Sequence, residues 1–192
     1  MDPYSFMKYI YKKSSDNIDD NKNSLYKDGY HETYYRNGKI KTKENWEDGK
    51  KEGEWIYYRP DGGISDKQTY VNDKLNGEVL NYYDDGDLNV REHYVDGILH
   101  GKYERYYGPG KLLAKGYYKN GKEDGEWVHY HANGNLNSKG KFVRGKREGY
   151  WSHYSQNGNL TNRGMFANGQ RVGDLTFYDE QGKGTVFKSD NG

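Results

Sequence analysis

The sequence predicts an all-β protein, a single-layer antiparallel meander of stacked 24-residue β-hairpins, elongated and twisted. Three observations carry this prediction: a strict repeat, two turn signals in each repeat, and aromatic residues at fixed positions. The repeat is clearest over residues 125–148, GEWVHYHANGNLNSKGKFVRGKRE, and its leading glycine defines position 0. That glycine recurs without slippage at Gly29, Gly53, Gly77, Gly101, Gly125, Gly149 and Gly173. Six full repeats and a truncated seventh therefore form one continuous array.

The composition narrows the classes of protein that this chain can be. A hydrophobic content of 32% beside 31% charged residues is typical of disorder, but 22 tyrosines and 4 tryptophans recurring on schedule oppose that interpretation. The formal net charge of +1 supplies no overall field for nucleic acid. The chain has no cysteine, which excludes disulfides and thiolate catalysis. The sequence favours a cytoplasmic protein without a secretory signal.

Residues 1–24 precede the array and are expected to be a capping segment and linker. Within this segment Met7, Ile10 and Tyr11 recur at helical intervals, which indicates a short helix or strand over the first edge of the sheet. A membrane-surface helix is the alternative. Residues 14–24 are polar and read as a linker. The repeat domain is expected to occupy residues 25–192.

Each repeat contains two turn signals that separate strands of about six to nine residues. The first signal is Asn37-Gly38, Asp61-Gly62, Asp85-Gly86, Pro109-Gly110, Asn133-Gly134 and Asn157-Gly158. The second is Asp48-Gly49, Asn72-Asp73, Asp96-Gly97, Asn120-Gly121, Arg144-Gly145 and Asn168-Gly169. Asn-Gly and Asp-Gly accept the positive φ angles of a type I′ turn, so both signals predict two-residue hairpins. Thirteen or fourteen strands follow, and helices have no place in the array.

Turn length decides which side chains share a face of the sheet. Two-residue turns pair position +6 with +11 and position +17 with +22. One face then collects positions +2, +4, +6, +11, +13, +15 and +17, which carry most of the aromatic and aliphatic residues. The tyrosine that recurs at position +5 is expected on the opposite face, with charged residues such as Glu54 and Glu126.

The pattern G-x-W-x-x-Y-x-x-x-G-x-L followed by an aromatic residue and Gly-Lys resembles the MORN-repeat variant (membrane occupation and recognition nexus). The resemblance runs from Gly29 to about Gly182, and the pattern is weakened where Val79 and Tyr103 replace tryptophan and Gly184 replaces leucine. Bacterial members are often classed as YwqK-type antitoxins or immunity proteins. The resemblance therefore implies a non-enzymatic scaffold that binds a partner protein such as a cognate toxin, and it transfers no site residue.

The candidate partner-binding site is the aromatic side of the sheet. Its residues are Trp55, Tyr57, Tyr83, Tyr103, Tyr107, Trp127 and Trp151. Tryptophan and tyrosine lead the residues that dominate protein interfaces. The alternative is that these rings only stack on one another to stabilise a thin sheet, and the two roles can coexist.

Other chemistry is weakly supported by the sequence. Residues 116–122 fit G-x-x-x-x-G-K, but Glu123 follows where a P-loop needs Ser or Thr. His129, His131 and His153 form a histidine cluster whose spacing on strands is too wide for one metal ion. We expect no catalytic residue, no metal, no cofactor and no nucleic-acid partner. The alternative functions are a peripheral membrane or phospholipid-associated MORN protein, and a structural or assembly component of a virus or phage; self-association is also open.

Overall fold

A computed structural model describes residues 28–188 of the chain as a single antiparallel β-sheet. No helix occurs within those residues, which confirms the predicted fold class. The expected capping segment and linker lie outside the described residues. The strands are β1 (Gly29–Tyr34), β2 (Ile40–Glu47), β3 (Lys50–Lys51), β4 (Gly53–Tyr58), β5 (Ile64–Val71), β6 (Lys74–Tyr82), β7 (Leu88–Val95), β8 (Ile98–Leu99), β9 (Gly101–Gly108), β10 (Lys111–Lys119), β11 (Lys122–Tyr130), β12 (Leu136–Val143), β13 (Lys146–Tyr154), β14 (Leu160–Ala167), β15 (Gln170–Tyr178) and β16 (Gly184–Phe187).

The topology is a meander in which each strand pairs with its neighbours in sequence. The two short strands pair at the margin, β3 with β2 and β8 with β7, and the other fourteen form the main path of the sheet. Each repeat contributes one hairpin to that path. The sheet is therefore a linear array in which every repeat contacts only the repeats beside it.

The second turn of each repeat is the predicted type I′ hairpin. Both central residues have positive φ, as in Asn120 (51°) and Gly121 (74°). These turns also stack along the array, because the amide of Gly121 donates to the carbonyl of Leu99, near the equivalent turn one repeat earlier, at 2.8 Å. The turn residues therefore join successive repeats as well as successive strands.

The first turn is longer than predicted in five of the six full repeats, and the two-residue interpretation of those five turns was wrong. In the fourth repeat Gly108 pairs with Lys111, so Pro109-Gly110 forms the predicted two-residue loop. In the fifth repeat the amide of His131 donates to the carbonyl of Asn135 at 2.8 Å, so three residues lie between the closing pair. Only the glycine has positive φ, at 87° in Gly134. The Asn133 side-chain oxygen accepts a bond from the Asn135 amide at 3.0 Å. This is the geometry of a three-residue loop built on a type I turn.

The longer loop changes one part of the predicted face assignment. The ladder pairs Tyr130 at position +5 with Leu136 at position +11, after a bulge, whereas His129 pairs with Ser138. Directly opposite residues of an antiparallel pair lie on the same side. The aliphatic residue at +11 therefore lies with the recurring tyrosine, and not with the tryptophans as predicted.

A wide bulge separates each repeat from the next. Between β12 and β13, Lys139 pairs with Ser152 and Lys141 pairs with Glu148, which leaves residues 149–151 opposite Gly140 alone. Gly149 accommodates this detour with a φ of 70°. The bulge bends the strand and re-aims its side chains, including the tryptophan at +2.

We name the two sides of the sheet by what they carry. The tryptophan face holds positions +2, +4, +13, +15 and +17, and the basic face holds +1, +3, +5, +11, +14 and +16. Within residues 28–188 the buried apolar side chains all lie on the tryptophan face: Trp46, Trp55, Val79, Ala114, Trp127 and Trp151. The core of this part of the chain is therefore one face of a single sheet.

Candidate protein-binding faces

Two tryptophans of the tryptophan face lie in slots made by glycine. A Cβ atom added to Gly116 would stand 2.3 Å from the ring of Trp127, and one added to Gly140 would stand 2.3 Å from the ring of Trp151. Each indole N–H donates to a backbone carbonyl of the preceding strand, that of Tyr117 or that of Lys141, at 3.2 Å. The indoles therefore lie against the backbone of the preceding repeat.

Neighbouring rings and cations cover the surface of the tryptophan rings that does not lie against the backbone. The edge of Phe142 meets Trp151 at a centroid distance of 4.9 Å, and the guanidinium of Arg147 lies 4.4 Å from the Trp151 ring. At Trp55 of the second repeat, Lys51 takes the place of Arg147, with its Nζ 4.2 Å from the Trp55 ring. Lys51 and Arg147 occupy the same repeat position, +22, four residues before the tryptophan that each one covers.

The structure places the predicted site residues as follows. Trp55, Trp127 and Trp151 lie on one face as predicted, but only 2%, 3% and 1% of their surface is exposed. Tyr57 and Tyr103 lie on the same face and are half-buried. Binding of a partner by this set stays a prediction. The burial leaves the three indoles little surface to offer to a partner in this conformation.

Tyr83 and Tyr107, the remaining members of the predicted set, join successive repeats. Each begins a first turn at position +6, and its hydroxyl donates to the carbonyl at +5 of the next repeat. The acceptors are Tyr106, at 2.7 Å, and Tyr130, at 3.2 Å. Tyr107 is the most exposed of the predicted residues, at 44%. Tyr107 alternates along β9 with Tyr103 and Arg105, which places it on the tryptophan face. It is the member of the set with the most surface available to a partner.

Two of the three clustered histidines have local hydrogen-bonding contacts, whereas the buried Nδ1 of His153 has no partner among the described residues. His131 Nε2 lies 2.9 Å from the carbonyl oxygen of Tyr154, and His129 Nδ1 lies 3.3 Å from the Ser138 hydroxyl. Burial lowers the pKa of His129, with a further contribution from Arg147. No cluster of three potential metal ligands occurs within residues 28–188. The segment that resembles a P-loop is the β10–β11 hairpin and precedes no helix.

Sequence reasoning missed a regular file of cations on the basic face. Position +14 is basic in every full repeat: Lys43, Lys67, Arg91, Lys115, Lys139 and Arg163. The ladder sets each of them opposite position +3 of its own repeat and of the next, as Lys139 lies between Val128 and Ser152. With strands about 4.8 Å apart, successive cations stand about 10 Å from one another. The repeat period contained this signal, since +14 is as constant in charge as +5 is in tyrosine.

The two halves of this file differ in their neighbours. Arg91 pairs with Glu78 at 3.2 Å and with Glu104 at 3.6 Å. Over repeats one to three, three cations on the basic face meet three carboxylates, counted at positions +1, +3, +14 and +16. Over repeats four to six the same positions hold five cations and two carboxylates. At these four positions the basic face is therefore neutral in its first half and carries an excess of three positive charges in its second.

The family assignment rests on this hairpin repeat. The MORN repeat variant matches the chain six times, over residues 27–48, 51–72, 75–96, 99–120, 123–143 and 147–168. The chain belongs to the MORN-repeat variant family. This MORN protein is a repeat scaffold of the kind that generally binds partner proteins or membranes. No helix in the described part of the chain is long and apolar enough to span a membrane.

Comparisons with individual proteins add little to the family assignment. No curated protein is significantly similar to this MORN protein. Among solved structures, one match is a chain in the crystal structure of the GtfA/B complex bound to UDP and GlcNAc, at 13% identity with a TM-score of 0.18. That match covers 83% of this chain but 24% of the other, so this chain spans about a quarter of its length. A TM-score this low supports no argument about shared fold or function.

Proposed function

We propose that this MORN protein is a non-enzymatic scaffold that sequesters a partner protein, as an antitoxin or immunity protein does. The observation that supports this proposal is the continuity of the sheet. Fourteen main strands follow one another in sequence order, with no crossover connection between them. Such a sheet offers long rows of side chains at fixed spacing, which suits an extended contact surface.

The packing of the tryptophan face makes this surface rigid before a partner arrives. The three indoles are held by backbone hydrogen bonds and by neighbouring rings. Binding to a surface whose side chains are already ordered avoids much of the entropy loss that weakens association. The tryptophans then act through the scaffold, and the contacts come from exposed side chains.

The test is reconstitution with the natural partner. The full chain is tagged and isolated from the cells that make it, the co-purifying protein is produced separately, and the two are mixed in a calorimeter. We expect saturable binding at a fixed stoichiometry, and loss of the partner's own activity in the complex. Absence of any stoichiometric protein partner, together with salt-sensitive binding to anionic vesicles, would favour the membrane-associated alternative and contradict this proposal.

A matched pair of variants assigns the contact within that complex. Tyr107→Phe removes the hydroxyl that bonds to Tyr130, whereas Tyr107→Ala removes the exposed ring as well. If the tryptophan face binds the partner, the alanine variant loses affinity and the phenylalanine variant keeps most of it. If that face only builds the sheet, the two variants bind the partner equally well.

A further inference from the structure

We propose that the docking surface is the basic face of repeats four to six, and that its occupant is an acidic, partly apolar segment of the partner protein. This inference rests on the proposed function and names the partner's chemistry. The surface centres on the bulge between β12 and β13, where residues 149–151 stand opposite a single glycine. An open cleft lies there, and its charged and aromatic lining residues are Lys139, Lys141, Tyr150, Arg163, Glu126 and Glu148.

The cations of this cleft are available for a partner. All three of Lys139, Lys141 and Arg163 are exposed. None of them forms an ion pair within 4 Å among the described residues. The ladder neighbours of Lys139 and Arg163 are Val128, Ser152 and Thr176 at position +3, which carry no charge. Lys141, at position +16, lies opposite Glu126 and Glu148 in the ladder but forms no ion pair with either of them within 4 Å.

Arg163 shows how the cleft is prepared for a carboxylate. Its guanidinium lies 4.1 Å from the centre of the Tyr150 ring, a cation–π contact that orients the group without neutralising it. A guanidinium held in this way keeps its N–H donors free for two parallel bonds to a carboxylate. Arg91, at the equivalent position of the third repeat, differs from Arg163. Its guanidinium already pairs with the carboxylates of Glu78 and Glu104 within the sheet.

Exposed apolar side chains lie on the same face as these cations. Tyr117, Tyr150 and Met165 are 40%, 56% and 42% exposed, and all three belong to the row of positions +1 and +16 on the basic face. Tyrosine, methionine and arginine are enriched in protein interfaces. A partner segment that mixes carboxylates with apolar residues would satisfy both kinds of group.

The carboxylates of the cleft favour a polypeptide over a phosphate-rich surface. Glu126 and Glu148 lie in the same cleft as the cations. A membrane of anionic lipid or a nucleic-acid backbone would set negative charge against them as well as against the cations. A polypeptide can place its carboxylates opposite Lys139, Lys141 and Arg163 and leave neutral groups opposite the two glutamates.

The test uses the full chain and a synthetic probe. The probe is a fluorescein-labelled seven-residue peptide in which Glu alternates with Phe, and its control carries Gln in place of every Glu. Fluorescence anisotropy measures affinity for the natural chain, for a Lys139→Gln, Lys141→Gln, Arg163→Gln variant, and for a matched Lys43→Gln, Lys67→Gln, Arg91→Gln variant. Thermal melting checks that each variant is folded.

We expect the acidic probe to bind the natural chain, and the first triple variant to bind it about tenfold more weakly, because three exposed charge contacts are lost. The matched variant should lose less than about threefold in affinity for the acidic probe. The glutamine control peptide should bind weakly to the natural chain and to both variants. Equal losses in the two triple variants would overturn the proposal. So would binding of anionic phospholipid vesicles without binding of the acidic probe.

The natural partner separates this proposal from the proposed function. If a stoichiometric protein partner is found and the first triple variant binds it as well as the natural chain does, the docking surface is wrong while the sequestering function stands. If the first triple variant alone loses affinity for that partner, both are supported. If no protein partner exists, the proposed function fails and the docking proposal, which rests on it, fails with it.

Discussion

Repeats one to three and repeats four to six share a backbone frame but cover their tryptophan face in different ways. In the first half position +15 holds a long polar side chain that accepts a hydrogen bond from the ring two residues on, as Gln68 does from Tyr70 at 2.6 Å and Glu92 from Tyr94 at 2.9 Å. In the second half position +15 is Gly116, Gly140 or Gly164. There the side chain at +2 of the next repeat lies over the glycine.

The difference shows that the hairpin backbone does not determine how the side chains of the tryptophan face pack. Where +15 carries an acceptor, the ring at +17 carries a donor, and where +15 is Gly140 the ring is Phe142. Tyr118 is intermediate, since it follows Gly116 and keeps its hydroxyl. Burial raises the pKa of Tyr118 to about 12, with a further contribution from the nearby Glu123 carboxylate. Positions +15 and +17 therefore act as a pair.

The largest expected effect comes from closing a glycine slot in the second half. In Gly140→Ala the new methyl group would occupy the space of the Trp151 ring, only 2.3 Å from one of its carbons. Overpacking of this kind costs about 3 kcal/mol of unfolding free energy, because the ring must leave its site. Urea denaturation of the full chain measures the change.

Gly108→Ala is the matched control for that substitution. Gly108 also lies on a strand without positive φ, and nothing stands within 4 Å of its added Cβ. We expect a change below about 0.5 kcal/mol there. Equal losses of unfolding free energy in the two variants would show that glycine at +15 is needed for its backbone conformation. That result would contradict the claim that Gly140 makes room for the Trp151 ring.

The second prediction breaks the polar pair of the first half. Glu92→Ala leaves the half-buried hydroxyl of Tyr94 without the acceptor at 2.9 Å, which costs about 1–2 kcal/mol of stability. Adding Tyr94→Phe removes the stranded hydroxyl and gives this repeat the ring found beside Gly140. A double-mutant cycle should therefore show coupling of about 1 kcal/mol. If the changes in unfolding free energy of the two substitutions were strictly additive, positions +15 and +17 would not act as a pair.

The turns show which parts of the fold the sequence could predict. Asn120-Gly121 forms the predicted type I′ turn with positive φ at both residues. Asn133-Gly134 is the same dipeptide, yet it closes a three-residue loop in which only the glycine has positive φ. Asn-Gly suits both geometries, and the bond from the Asn133 side chain to the Asn135 amide that accompanies the loop is not visible in composition. The period and the strand order could be predicted, whereas this loop length could not.

The candidate site was harder to predict than the fold. Placing Trp127 and Trp151 on one face required only the alternation of side chains along a strand. Their burial depends on a bulge that sets three residues opposite one, and on glycine at +15, which only half the repeats contain. Without that packing, exposed indoles on an open sheet resemble a binding surface. The cation file at +14 was visible in the sequence, but its lack of ion pairs at Lys139 depends on the register.

A smaller, stabilising effect is expected where the second half departs from its own pattern. Position +22 holds Lys51 or Arg147 in front of a tryptophan, but Glu123 in front of Trp127. Burial raises the pKa of Glu123, which means that its environment disfavours the charged form. Glu123→Arg should add a cation–π contact with Trp127 and stabilise the protein by about 0.5–1 kcal/mol in urea denaturation. Glu123→Gln separates the loss of the buried negative charge from the gain of the cation–π contact, since it removes the charge without adding a cation. If Glu123→Arg destabilised the protein, the claim that a cation at +22 stabilises the tryptophan behind it would be wrong.

The most direct test of the division between a building face and a binding face is hydroxyl-radical footprinting of the full chain, free and in complex with its co-purified partner. Mass spectrometry then reports oxidation at exposed tyrosine, phenylalanine and methionine side chains. We predict that Tyr117, Tyr150 and Met165 on the basic face lose reactivity in the complex, while the exposed Phe177 on the tryptophan face keeps its reactivity. Protection of Tyr107 and Phe177, with Tyr150 and Met165 unchanged, would contradict the account and return the binding site to the tryptophan face.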